Sequence, residues 1–181
     1  VTYTTPVTGT VGYPTGASVW NAGVRDNMEF LARKPLCKVR ATVAQTLTSG
    51  AFAALLFDTE DVDDPAGSHS TTSNTDRIVA PVAGWYRVTA HVEFAANATG
   101  NRFLRVRRTV AVGGVTTDFR LDAKVTMGGA QGVDLGGTEV VQIATAGDYL
   151  TVMARQDSGG NLDTVVAEST PSFSIALDRI I

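Results

Sequence analysis

The chain has 181 residues and a mass of 19.0 kDa, enough for one compact domain with an appendage. Hydrophobic residues make up 44% and charged residues 18%, which excludes wholesale disorder, and no apolar run approaches the roughly 20 residues of a membrane-spanning helix. The net charge of −3 argues against nucleic-acid binding, the single cysteine (Cys37) rules out an intramolecular disulfide framework or a cysteine-based zinc site, and no signal-peptide pattern opens the chain.

Residues 1–16 alternate Thr, Val, Gly, Pro and Tyr without helical spacing and read as an extended arm. Thr15 or Ser18 is positioned to cap a short helix running to about Arg33. Trp20, Val24, Asn27 or Met28, and Leu31 recur at helical spacing and form one apolar stripe. Arg33 and Lys34 complement the negative end of the helix dipole, and Pro35 ends the helix. A lone helix of this length is marginal in water, so it needs a surface to pack on.

From Lys38 the period changes to two. The chain holds 24 Thr and 23 Val, residue types that favour a pleated, half-buried surface. Val39, Ala41, Val43 and Leu47 are predicted on one face, and residues 52–57 form an apolar run compatible with a buried strand. Residues 58–74 read as a polar loop and 77–82 as a short edge segment carrying Pro81. The clearest strand is 85–96, with Tyr86, Val88, Ala90, Val92 and Phe94 alternating against Trp85, Arg87, Thr89, His91 and Glu93. Residues 101–112, 115–125, 138–144, 148–155 and 171–181 repeat the habit, separated by glycine pairs at 113–114, 128–129, 136–137 and 159–160. The prediction is an all-β jelly-roll sandwich of about eight to ten antiparallel strands over 38–181, preceded by an arm and one short helix over 1–36.

The segment Arg77-Ile-Val-Ala-Pro81-Val-Ala-Gly84-Trp85-Tyr86-Arg-Val88 resembles the signature of the complement and tumour necrosis factor globular-head superfamily. Phe57-Asp58, Gly147-Asp148-Tyr149 and the closing Ser172-Phe173-Ser174-Ile175 are similar to that family's spaced elements, in the same order. The resemblance implies a jelly-roll head that associates as a homotrimer. The front of the chain resembles an N-terminal module of small structural proteins of tailed bacteriophages, through Asn21, Arg25, Asp26, Asn27, Phe30 and Leu31. That second resemblance implies a virion protein, anchored by its front end on the exterior of the particle.

Three groups of candidate site residues follow. Trp20, Val24, Phe30 and Leu31 are the expected anchor contacts with a capsid or tail protein. Asp58, Glu60, Asp61, Asp63 and Asp64 supply the oxygen ligands that calcium prefers, without EF-hand spacing; the plainer reading is a solvated acidic loop, and no cofactor is expected. Charge alternates by block, +3 over 1–40, −6 over 41–76, +5 over 77–124 and −5 over 125–181. Arg102, Arg105, Arg107 and Arg108 dominate the basic block and are expected on one outward strand face, pairing with acids or contacting an acidic partner. His69 and His91 belong to no catalytic motif, and an enzyme is not expected. The leading expectation is a trimeric accessory or decoration knob on a phage particle, with neither nucleic-acid binding nor membrane insertion. The competitor is a tail-tip or fibre adhesin that binds a host-surface receptor or glycan through loops at 68–76 and 128–137.

Overall fold

In the computed structural model, residues 4, 16–125, 132–167 and 169–181 are described. Two units separate at Lys34/Pro35, the first Val1–Lys34 and the second Pro35–Ile181. The predicted Thr15 cap, most of the arm and the glycine pair at 128–129 lie outside the described residues.

In the first unit a helix opens at α1 (Ala17–Trp20), widens into a π turn at Asn21–Arg25 and closes as α2 (Asp26–Ala32). Gly16, not Ser18, is the N-cap residue, and no side chain caps the end. The π turn contains Gly23, and its wider turn shifts the helical phase from the uniform spacing assumed from sequence. Asn27 and Phe30 are therefore the buried positions, while Trp20, Met28 and Leu31 are exposed. Asn27 also ties the front of the chain to the helix. Its Oδ1 accepts from the Thr4 amide at 2.8 Å, and its Nδ2 donates to the Thr4 carbonyl at 2.7 Å.

The second unit begins with β1 (Leu36–Arg40), β2 (Thr46–Leu47), β3 (Ala53–Ala54), β4 (Thr59–Asp64) and β5 (Arg77–Val79). It continues with β6 (Gly84–Phe94), β7 (Asn101–Thr109), β8 (Thr116–Val125), β9 (Val133–Ile143), β10 (Tyr149–Gln156), β11 (Leu162–Asp163) and β12 (Ser172–Ile180). One sheet runs β4–β1–β12–β6–β9 and the other β3–β10–β7–β8, with β5 also paired to β10; β11 and β2 form a separate short pair. All pairings are antiparallel. Chain-adjacent strands such as β8, β9 and β10 alternate between the two sheets, so this is a jelly-roll sandwich.

The core lies between the sheets. Tyr86, Val88, Ala90, Val92 and Phe94 of β6 point inward as expected, and meet Leu104 and Val106 of β7 and Leu150, Val152 and Ala154 of β10 as buried residues. Phe173, Ile175 and Leu177 of β12 join them, and the Phe57 and Phe173 ring centroids lie 5.7 Å apart. Each of the buried Val, Leu, Ile and Phe side chains contributes about 1.5–3 kcal/mol by leaving water. Cys37 is buried on the inward face of β1; burial, reinforced by the Asp63 carboxylate, pushes its thiol far above the ordinary range.

Four expectations need correcting. The acidic run is not a loop: it forms edge strand β4, held in register against β1. Only Ala53–Ala54 of the apolar run 52–57 pairs as strand; Leu55 and Phe57 are buried and Leu56 is half exposed. Val43 does not join its predicted face, because the chain leaves β1 at Arg40. The Gly136–Gly137 pair is no break but the middle of β9, opposite His91 and Ala90. Glycine is favoured at 137 because a Cβ would lie 3.0 Å from the Leu121 carbonyl oxygen of β8, a tight approach where the two sheets converge. Gly84 has a similar reason: a Cβ would lie 2.6 Å from the Arg179 carbonyl and the Leu177 side chain of β12.

Candidate binding faces and the arginine-bearing sheet

The outward positions of β5, β10, β7 and β8 line up in cross-strand rows. One row is Arg77, Thr151, Arg107, Asp118; the next is Val79, Tyr149, Thr109, Thr116. On the other side runs Ala54, Met153, Arg105, Arg120. Asp118 is the electrostatic hub. It accepts from Arg107 Nε at 2.8 Å and lies 2.9 Å from Arg105 Nη1. The Arg107 hydrogen bond and the two guanidinium charges hold the Asp118 carboxyl below the usual carboxylate range. Aromatic rings complete the face. The Arg105 guanidinium sits 3.5 Å from the Phe52 ring centroid, Arg155 lies 5.2 Å from Phe103, and Arg77 lies 4.5 Å from Tyr149.

The four predicted arginines do not share this face. Strand alternation sends Arg105 and Arg107 outward and Arg102 and Arg108 to the opposite side. Arg102 is fully buried near the Phe94 ring, and its Nη atoms donate to the carbonyls of Thr99, Asn101 and Asn97. Burial lowers its proton affinity, and the Asp157 carboxylate opposes that. Arg102 is thus a structural plug beneath the turn at 97–100. Arg108 reaches across to the Gln142 carbonyl of β9 at 2.8 Å.

Between β5, β10 and β7 the same face sinks into a depression of about 340 Å³. Thr109, Thr151 and Met153 form its nearly buried floor, while Asp76, Arg107 and Tyr149 stand at its rim. Among the described residues, no hydrogen-bond partner falls to the Asp76 carboxylate or to the hydroxyls of Thr109, Thr116 and Thr151. Sequence reasoning missed these residues. Alternation within β7 and β10 marks them as outward, but only the strand register makes them neighbours.

The acidic residues of β4 are distributed rather than convergent. Burial acts against the charged form of Asp58, but hydrogen bonds from Thr42 and Thr59 outweigh it and hold the carboxyl low. Asp61 pairs with Arg40 at 2.8 Å and Lys38 at 3.4 Å, and both lower its pKa. Asp63 accepts from the Gly67 and Ser68 amides, and Glu60 from the ring of His69, a histidine buried against the Thr75 carbonyl. Asp64 opens no loop but closes β4, opposite Leu36. No group of three or more metal-ligating side chains converges among the described residues. His91 faces outward on β6, against the Asp134 carboxylate and the Ser169 hydroxyl.

The opposite face of the molecule belongs to the β4–β1–β12–β6–β9 sheet. Lys38, Ser174, Thr89 and Thr138 form one outward row, flanked by Leu36, Ala176, Arg87 and Val140. Side chains in these two rows are short except at Lys38 and Arg87, and Leu36, Val62 and Val140 are exposed apolar residues. Of the predicted anchor residues, Trp20 and Leu31 are 58% and 60% exposed, Val24 is half buried and Phe30 is buried.

No protein-family profile matches this chain, and no curated protein does. Solved structures do. Murine APRIL at pH 8.5 superposes with a TM-score of 0.55 at 14% identity, over 79% of this chain and 98% of that one. The Eiger TNF of S. frugiperda superposes with a TM-score of 0.59 at 12% identity, over 82% of this chain and 96% of that one. At such identities the likeness is one of fold.

Proposed function

We propose that this chain, a tumour-necrosis-factor-like jelly roll behind a short helical unit, is a non-enzymatic structural protein of a tailed-phage particle. In this reading three heads associate around an axis, and residues 1–36 dock the knob on the outside of the capsid or tail. The observation that carries it is the exposure of Trp20, Met28 and Leu31 on one short helix, 58%, 65% and 60% respectively. Large apolar side chains held in water on a marginal helix are accounted for by burial in a partner. The Asn27 clamp on Thr4 supports it by fixing the front of the chain to the helix.

Self-association is supported by the short-chained outward face around Ser174, Ala176, Thr89 and Thr138, with Leu36, Val62 and Val140 exposed on it. A flat face of this kind lets a second sheet approach closely. Three docking helices held by one knob also multiply a weak attachment. The test is deletion of residues 1–34, which removes the first unit and leaves the second intact. The expected result is a head that folds with unchanged far-ultraviolet strand signal yet no longer assembles onto particles. Incorporation at the full-length level would overturn the anchoring role.

A further inference from the structure

We propose that the depression on the arginine-bearing sheet is a binding site for a neutral saccharide. Its volume of about 340 Å³ is within the range of small-ligand clefts. Its chemistry is more telling. The Asp76 carboxylate offers two acceptor oxygens, Arg107 offers donors beyond those used on Asp118, and Thr109, Thr116 and Thr151 each both donate and accept. Vicinal hydroxyls of a pyranose, which donate and accept in alternation, complement such a set.

Unmet hydrogen-bonding capacity makes the case specific. Thr151 is 4% exposed and Thr109 6%, yet neither hydroxyl has a protein partner among the described residues. Both hydroxyls stay open to solvent in the depression, where a polar occupant can reach them. Met153 and Ala54 give the lining an apolar patch for the C–H face of a sugar ring, and Tyr149 closes one end, its ring steadied by the Arg77 guanidinium at 4.5 Å.

Charge argues against the other ligand classes. Asp118 already engages two donors of Arg107, and Asp76 stands at the rim, so an anion entering the depression meets a carboxylate. A cation meets the guanidinium. The polar floor disfavours a wholly apolar guest. The floor belongs to the rigid strands β7 and β10, so the site is preformed rather than carried on loop tips.

The full-length protein is screened against an array of neutral hexose and N-acetylhexosamine oligosaccharides, and the best binder is titrated by calorimetry. Asp76→Ala and the isosteric Thr151→Val are each expected to weaken binding by about tenfold, with melting temperatures unchanged. A Lys38→Ala control on the opposite sheet is expected to bind normally. Absence of any neutral binder, binding confined to acidic glycans, or affinity untouched by both substitutions would each overturn the proposal. Oligomer mass and particle incorporation are read separately, so this site and the particle role stand or fall independently.

Discussion

Arg102 and Arg105 are three residues apart in β7 and serve opposite purposes. Arg102 is enclosed and donates to the carbonyls of Asn97, Thr99 and Asn101; Arg102→Ala strips them of this partner and leaves a void, and should cost about 2–4 kcal/mol, read as a lower urea midpoint. Arg105 shares Asp118 with Arg107 on the solvent side, where the coupling shows as pH dependence. The hydrogen bond from Arg107 to Asp118, that from Arg40 to Asp61 and that from the Asn101 amide to Asp157 each hold a carboxyl below its unfolded value. Their stabilisation is complete above the unfolded carboxylate pKa near 4 and is lost as pH falls through the folded values. The urea midpoint should therefore drop below about pH 4, and Asp118→Asn should flatten part of that drop. A midpoint independent of pH in that range would contradict the ion-pair reading. Cys37, buried and with its pKa pushed up, should resist thiol reagents until the head unfolds.

Within single elements, much of the architecture was legible. The alternation of 85–96 predicts β6 and its inward face residue by residue, because one-sided burial imposes period two. The same logic, applied strictly to β7, separates Arg102 and Arg108 from Arg105 and Arg107, a division hidden when charge is counted by block. Two features were not legible. Gly136–Gly137 carries a turn signature, and only the approach of the Leu121 carbonyl explains its place inside β9; Gly137→Val should destabilise the head by about 1–3 kcal/mol through that clash. The acidic run 58–64 looks solvated by composition, yet Arg40 and Lys38 opposite it in β1 make it a strand edge. In the first unit, Asn27→Ala should speed hydrogen exchange at the Thr4 amide, since Asn27 Oδ1 is that amide's acceptor. Unchanged protection there would remove the clamp from the account.

The molecule as a whole presents two sheets of different character and a separate helical unit. One sheet carries an arginine cluster around Asp118 and a polar depression; the other has short-chained central rows, with Leu36, Val62 and Val140 open to solvent. The site on the first sheet could not be read from the sequence, since Arg77, Thr151, Arg107 and Asp118 come from four strands that only register aligns. On the second, replacing Val140 with Glu places a carboxylate on the proposed contact surface and should dissociate the assembly without unfolding the subunit. The trimeric knob at the centre of the proposed function is that assembly, so light scattering of the full-length chain at micromolar concentration is the most direct measurement. The account predicts a particle of three times the 19.0 kDa chain mass, falling to one chain mass in Val140→Glu. A strict monomer in the unaltered protein would contradict it.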